Sequence, residues 1–420
     1  MNSLELKLQL RGLAELRLAV VSPFLDREHG TELCIVEQVE RLAQKDGWEI
    51  HLYSQNVRQI EGVEVFSDVS RETGAGIYWH QIPKMPGPQL FAYVWWFFAN
   101  DARRWLDRRS GKFSPDLVYS PGVNCVDADV IVVHIVFSEF YRLMRSELLL
   151  KQSPLRSWPL LIHRRLYYKL IISLERRYYR NGRASLIAVS ALVANQLKEH
   201  FEREDVTVIP NSVDTLRFNA AVRNSKRELS RQVLGYSHAD FILLFIGNDW
   251  KKKGLAALLV AMAKLHDMPV RLLVVGKDDR HAFLPILEQM DLKKRVRFEK
   301  PSADVLSFYA AADLYIAPAL EDAFGLPILE AMACGLAVIA SVNAGASESI
   351  REGETGLLLQ NPRDASEIAG CIRRLYQDDA LREKIAFAAA EYALKNCSWE
   401  LNADRTRQIL EAVFNRNSKS

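Results

Sequence analysis

From Phe241 onward the chain alternates short apolar runs with amphipathic stretches so regularly that few architectures accommodate it. Strands are expected at Ile242–Ile246, Leu272–Val275, Val296–Phe298 and Leu314–Ala317, and helices from Gly254, up to Met290, around Val305–Ala312 and through Glu330. Strands that are apolar throughout suit a sheet covered on both faces, and a helix between consecutive strands makes that sheet parallel. The first half repeats the pattern less completely. Arg17–Ser22 is an apolar run ending in the loop Pro23 to Gly30; Ile35, Val36, Val39 and Leu42 then recur at helical spacing, and Trp48–Tyr53 returns to a strand pattern. That is a β-α-β unit. Val118–Ser120, Val130–His134, Ser185–Ser190 and Val206–Pro210 read as further strands, whereas 83–183 is aromatic and basic and resists assignment. The economical reading is α/β: two doubly wound Rossmann-like domains facing a central cleft, hinged between about Val213 and Ser237.

A chain of 420 residues has room for two or three domains of roughly 100–200 residues. The 55 Lys and Arg against 52 Asp and Glu leave a net charge of +3, too slight for a nucleic-acid binder. Cys34, Cys125, Cys334, Cys371 and Cys397 are far apart and form no C-x-x-C pair, so neither a zinc site nor a redox motif is expected and a reduced cytosol fits. Apolar runs such as Leu90–Ala99 and Val130–Val133 reach at most about half of the ~20 residues of a membrane span. Met1–Glu5 carries an acid early and no long apolar core, so no secretion signal and a cytoplasmic location are expected.

The densest chemistry lies in Glu321–Gly335. A strand ends at Ala317-Pro318, an acidic loop follows, Gly325 permits close backbone approach and Pro327 suits the first turn of a helix. Such a helix N-terminus at the carboxyl end of a strand favours phosphate; the alternative is an acidic helix start with a packing glycine. Lys251, Lys252 and Lys253 lie between a strand and a helix, either as a solvated loop or as an anion site. Asp127-Ala128-Asp129 has the D-x-D form of a cation site, yet it precedes a strand of the first half, and no metal is expected. No G-x-G-x-x-G follows the first strand and no P-loop is present, which weighs against a dehydrogenase or a P-loop enzyme.

Asp322–Gly335, Ala311–Pro318, Gly353–Leu358, Ile209–Asp214 and Phe245–Gly247 resemble the signature of the retaining, nucleotide-sugar-dependent group 1 (family 4) glycosyltransferases of the two-domain B architecture, GT-B. Gly247–Gly254 is similar to the lipopolysaccharide-core glucosyltransferase branch. The resemblance covers most of the chain after Ser185 and is patchier before it. It implies an acceptor-binding domain over 1–215, a nucleotide-sugar-binding domain over 216–395, and a segment 396–420 that crosses back to the first. By the same resemblance Glu330 binds the donor ribose, and Asp322, the first acid of the pair, addresses hydroxyls of the transferred sugar. The family usually has Glu there, so either Asp322 acts with shorter reach or the adjacent Glu321 substitutes. Backbone amides of Phe324, Gly325 and Leu326 would hold the distal phosphate, and Lys253, with Lys252 beside it, would neutralise the diphosphate. Asn248 stands where the family commonly has arginine. Gly30 matches a glycine that lets the nucleotide come near, or is a turn residue; His134 matches a histidine near the reacting sugar, or is a satisfied core residue. Glu348 matches a common family glutamate, or is an ordinary helix-start acid.

The implied activity is retaining transfer of a sugar from a nucleoside diphosphate of the UDP or GDP type to a glycan or lipid-linked acceptor in cell-envelope or surface polysaccharide synthesis, with no cofactor or metal. Rival readings are a non-catalytic nucleotide-sugar-binding or membrane-scaffold protein and a nucleotide-sugar epimerase on the same fold. Lys151–Arg183 adds nine basic residues against the single acid Glu175, a local charge of +8. Its interleaved apolar and aromatic side chains suit a helix lying on an anionic membrane surface, making the protein peripheral on the inner face; a core helix with a basic outer face is the alternative.

Overall fold

A computed structural model describes residues 16–66, 74–144 and 158–419. The chain forms two compact units, one running to Ile209 and resuming at Asn402, the other Pro210–Leu401.

The first unit is built on an eight-stranded sheet with the spatial order Val206–Val208, Ser185–Ala188, Val130–Val133, Leu117–Pro121, Arg17–Val21, Glu49–Ser54, Gly76–Gln81, Val63–Val65. All neighbours are parallel. Arg17–Val21 is central, with Leu18 opposite Leu117 on one side and Ile50 on the other. Leu18 to Val21 are fully buried, which is why the run is apolar at every position rather than at alternate ones. Helix Gly30–Asp46 buries the predicted Ile35, Val36, Val39 and Leu42 and stops at Gly47 in the left-handed conformation, the usual residue for that terminus. The returning helix Trp399–Asn417 packs within this unit from Asn402 onward: Gln38 Nε2 donates to Asn402 Oδ1 at 2.8 Å, and Asn417 Nδ2 to Asp129 Oδ1 at 3.0 Å.

The stretch that resisted assignment holds helix Gln89–Arg109, whose buried face is mixed. Asn100, Arg104 and Asp107 are buried in line with Trp96, while Phe91, Trp95, Phe98 and Trp105 are exposed. Each buried polar residue makes hydrogen bonds: Asp107 accepts from Tyr53 Oη at 3.0 Å and lies 2.7 Å from His80 Nδ1, Arg104 donates to both oxygens of Asp127 at 2.5 and 2.7 Å, and Asn100 Nδ2 donates to the Trp96 and Asn124 carbonyls at 2.8 and 3.1 Å. Asp129 Oδ2 accepts the Val118 N–H at 2.8 Å. Both acids of the D-x-D thus brace strands and a helix. Helix Trp158–Glu175 runs on into a π-helical turn, Arg176–Arg180, and the Glu175 carboxylate accepts the N–H groups of Phe137 and Ser138 at 2.7 and 3.0 Å, capping helix Phe137–Met144. Of the basic segment, Lys151 and Arg156 lie outside the described residues. Among the described residues no helix is long and apolar enough to cross a membrane.

The second unit has a six-stranded parallel sheet ordered Val296–Glu299, Val270–Val275, Phe241–Ile246, Leu314–Ala317, Ala337–Ser341, Leu357–Leu359. In chain order this is 3-2-1-4-5-6, the dinucleotide-fold arrangement, with its topological switch between the first and fourth strands. Where the sequence suggested a hinge, helix Ala220–Val233 packs within this unit against helix Leu306–Ala311. Arg223, Arg227 and Arg231 recur every fourth residue on one helical face. They donate to carbonyls of Tyr309, Ala310, Ala311 and Ala312, and Arg227 and Arg231 clamp the Asp313 carboxylate, which also accepts the Ile242 N–H at 2.8 Å.

Asp313→Ala leaves the Arg231 guanidinium, 4% exposed, without its carboxylate and a central-strand N–H without an acceptor. A loss of about 3–5 kcal/mol is expected, as for a broken buried ion pair. Urea unfolding that gives an unchanged midpoint for this variant would show that the clamp contributes nothing.

Candidate active site

The sheet of the second unit determines where chemistry can collect. The chain leaves Phe241–Ile246 and Leu314–Ala317 toward opposite edges, so the loops after these two neighbours part and leave a crevice at their carboxyl ends. The loop after the first of them, Gly247–Gly254, leads into helix Leu255–Ala263, and the loop after the second, Pro318–Gly325, into helix Leu326–Ala333.

The first loop is tightly held. Trp250 Nε1 donates to the Gly247 carbonyl at 2.8 Å, the Asp278 carboxylate accepts the N–H groups of Asp249 and Trp250 at 3.0 and 2.6 Å, and Asn248 Oδ1 accepts the Lys277 N–H at 2.9 Å. Asn248, which departs from the family pattern, therefore ties this loop to the next one. Gly254 closes the loop at φ +81°, and a Cβ there would lie 1.9 Å from the Pro318 carbonyl oxygen. Only glycine lets the two loops come that close. Leu320 N–H donates to the Lys252 carbonyl at 2.7 Å, sealing the same contact.

The approach brings Lys253 Nζ into an ion pair with Asp322. Asp322 is itself positioned by its backbone, which pairs with the loop after the fifth strand: its N–H donates to the Asn343 carbonyl and its carbonyl accepts the Gly345 N–H, both at 3.0 Å. Its Oδ1 accepts the Phe324 N–H at 3.3 Å. Gly325 has φ +90° and caps helix Leu326–Ala333, with Pro327 in the first turn. A Cβ at Gly325 would meet Asp322 Oδ2 at 2.9 Å. The N–H groups of Gly325 and Leu326 have no acceptor among the described residues. They add to the positive end of the helix beside the Lys253 ammonium. Lys252 lies 3.5 Å from Asp249 Oδ2, and Lys251 is exposed.

Glu330 sits on the second turn of the same helix. Tyr309 Oη donates to its Oε2 at 2.5 Å. Burial pushes the Glu330 carboxyl above the ordinary glutamate range, against the opposing pull of the Tyr309 hydroxyl and the Arg217 charge. One carboxylate oxygen is thus committed to tyrosine, leaving the other for a ligand hydroxyl. Glu321 is half-buried in the acidic loop, and Glu348 is exposed in the short helical turn Gly345–Ser349. Lys253, Asp322, Phe324, Gly325, Leu326 and Glu330 therefore belong to one neighbourhood. Tyr309 and Arg217 were not singled out from sequence; Tyr309 precedes the recognisable Ala311–Pro318 run by only two residues.

In the first unit the corresponding switch lies between Leu117–Pro121 and Arg17–Val21. His134 follows strand Val130–Val133, one strand away. Its ring is buried, Nε2 has no hydrogen-bond partner, and burial pushes its pKa down to about 4, so the imidazole is neutral at pH 7. Gly30 is exposed and opens helix Gly30–Asp46 without a left-handed φ, so no backbone requirement for glycine acts there.

Family models for "Glycosyltransferase Family 4" and "Glycosyl transferases group 1" match residues 29–217 and 226–392 respectively. The D-inositol 3-phosphate glycosyltransferase of Pseudarthrobacter chlorophenolicus is 29% identical over 248 residues, covering 56% of this chain and 58% of that protein. The lipopolysaccharide glucosyltransferase WaaG of Escherichia coli is 27% identical over 233 residues, covering 54% and 62%. The chain thus spans about six tenths of the length of these curated relatives. The crystal structure of WaaG superposes with a TM-score of 0.72 at 19% identity, over 93% of this chain and 99% of that one. Anabaena HepE, solved with UDP-glucose, gives 0.67 at 19% identity over 94% and 100%. With family matches running through both units and the same fold over nearly the whole length of solved structures, the chain belongs to the group 1 glycosyltransferases of GT-B architecture.

Proposed function

We propose that this chain is a retaining, metal-independent glycosyltransferase that moves a sugar from a nucleoside diphosphate to a glycan or lipid-linked acceptor of the cell envelope. The observation that carries this reading is the convergence of Lys253, Asp322, two N–H groups without acceptors among the described residues and Glu330 at the carboxyl edge of one sheet. In it, Glu330 binds the ribose through the oxygen that Tyr309 leaves open, while the Lys253 ammonium and the Gly325 and Leu326 amides receive the diphosphate. Those charges act most strongly as the phosphate departs, which is how fixed donors lower a barrier. Asp322, held beside Lys253, faces the transferred sugar. Its retaining outcome follows if the acceptor attacks on the face the diphosphate leaves, with the departing phosphate taking the acceptor proton.

HepE was solved with UDP-glucose, which supports a UDP-hexose as the first donor to test, and WaaG acts in lipopolysaccharide biosynthesis, which supports an envelope acceptor. The basic helix Trp158–Glu175 supports contact with an anionic membrane face.

Glu330→Ala removes a charged acceptor for ribose hydroxyls, worth about 1.5–3 kcal/mol. Calorimetry is expected to show nucleotide affinity weakened by roughly 10–100-fold; a folded variant with unchanged affinity takes Glu330 out of the site. Asp322→Asn is expected to bind free nucleoside diphosphate normally yet lose transfer, with Glu321→Gln largely active. The reverse pattern in a donor-consumption assay assigns the role to Glu321 instead. Transfer is also expected to survive chelator, because lysine and helix amides supply the positive potential. Loss of activity in chelator, restored by magnesium or manganese, would overturn the metal-free mechanism.

A further inference from the structure

Between helix Gln89–Arg109 and the sheet of the first unit runs a line of four titratable side chains that the chemistry proposed above does not use. Glu49 and His51 stand on one strand, His80 on the neighbouring strand and Asp107 on the helix. Both imidazoles are fully buried, and Glu49 and Asp107 are 8% and 3% exposed. Glu49 Oε1 lies 2.8 Å from His51 Nε2, His51 Nδ1 lies 2.6 Å from His80 Nε2, and His80 Nδ1 lies 2.7 Å from Asp107 Oδ2. Each separation is that of a hydrogen bond, so each contact needs a proton between its two atoms.

The ends of the line fix two of those protons. Burial raises the Asp107 carboxyl, but its bonds to His80, Arg103 and Tyr53 outweigh that and hold it below the ordinary aspartate range; it is an acceptor, and His80 Nδ1 carries a proton. Glu49 Oε2 has the Arg17 guanidinium at 3.3 Å, which favours its carboxylate form, so His51 Nε2 carries a proton as well. A neutral imidazole has one N–H, and in each ring it now points outward. The middle contact is then left with two lone pairs 2.6 Å apart. Burial favours the neutral form of each ring taken singly, yet two neutral rings cannot make this contact. We propose that at pH 7 His51 and His80 share one further proton between Nδ1 of the first and Nε2 of the second, so that the pair is a single buried cation held between two carboxylates.

The other charges that face the line meet it at its ends. Arg103 Nε and Tyr53 Oη bond to Asp107 at 3.2 and 3.0 Å. Arg17 lies beside Glu49 with its guanidinium 4.7 Å from the Phe113 ring, and its N–H is taken by Asp116 at 2.9 Å. Aromatic rings close the sides: Phe113 stacks on His51 at 3.4 Å, Phe66 on His80 at 4.2 Å, and Tyr78 lies 5.1 Å from His51. The two carboxylates thus touch the shared charge directly, whereas the guanidinium groups touch the carboxylates.

A pH-sensitive switch follows. Unfolded histidines, with a pKa of ~6.5, have released their protons above pH 7 while the folded pair keeps one, so stability falls as pH rises and the pair gives that proton up. The imidazole nitrogens of the full-length protein, isotopically labelled at histidine, are followed by NMR. At pH 7 the two rings are expected to carry three protons, His51 Nε2 and His80 Nδ1 fully protonated and the two facing nitrogens showing the intermediate shifts of a shared proton. Urea midpoints supply the second measurement, with His51→Gln as the control, since its amide can donate to His80 Nε2 without an extra proton. Above pH 7 the parent is expected to lose stability with a slope steeper than that of the variant by up to about one proton. Two ring protons at pH 7 in the parent, or the same alkaline slope in parent and variant, would overturn the shared proton; the NMR result stands by itself if His51→Gln does not fold.

Discussion

Because Phe241–Ile246 and Leu314–Ala317 lie side by side and parallel while the chain leaves them toward opposite edges of the sheet, the loops that follow must part, and no crossover helix covers the gap. Lys253, Asp322, Gly325, Leu326 and Glu330 enter from one of those two loops or from the helix after the second, and Tyr309 reaches Glu330 from helix Leu306–Ala311. Glycine at 254 then allows the loops to touch, and backbone pairing of Asp322 with the Asn343–Gly345 stretch fixes the acidic loop from its other side. The Lys253–Asp322 pair is therefore a product of sheet order and of one residue without a side chain. Neither charge needs long-range guidance to find the other.

The second unit handles buried charge in two ways that bear on function. Around Asp313 the carboxylate is clamped by Arg227 and Arg231, and Arg223 beside them is held by carbonyls, so the acid is committed to the fold. Around Glu330 the matching is incomplete: one hydroxyl serves one oxygen, and burial raises the carboxyl's proton affinity. His134 in the first unit is likewise buried with a ring nitrogen unsatisfied. An incompletely paired buried polar group costs stability, and proteins concentrate such costs where a ligand can repay them.

Most of this architecture was legible in the sequence, because parallel strands covered on both faces are apolar at every position and leave little ambiguity. The strands from Ile242 to Ala317 and the helix after Gly325 fall within a residue or two of where the pattern puts them. Helix Gln89–Arg109 was not legible for a specific reason. It buries Asn100, Arg104 and Asp107 in line with Trp96 and exposes Phe91, Trp95, Phe98 and Trp105, so polar and apolar residues occur on both faces and the contrast that amphipathic reading needs is lost. Helix Ala220–Val233 was hidden similarly: its contact face is arginine, and its partners are carbonyls and a carboxylate that no hydropathy pattern reports. At the site, motif spacing led to Asp322 and Glu330, but Tyr309 and Arg217 act through the fold rather than through a motif.

The return of the chain at Asn402 to the unit that holds the first strands means that the two units are unequal in sequence. Pro210–Leu401 is one unbroken stretch; the other unit is interrupted by it. During synthesis the second unit has all its residues outside the ribosome before the first has received helix Trp399–Asn417. Asn402 and Asn417, which bond to Gln38 and Asp129, arrive after all of the second unit. The N-terminal sheet therefore waits, one helix short, through the translation of nearly two hundred residues, and the order of emergence from the ribosome is not the order in which the units become complete.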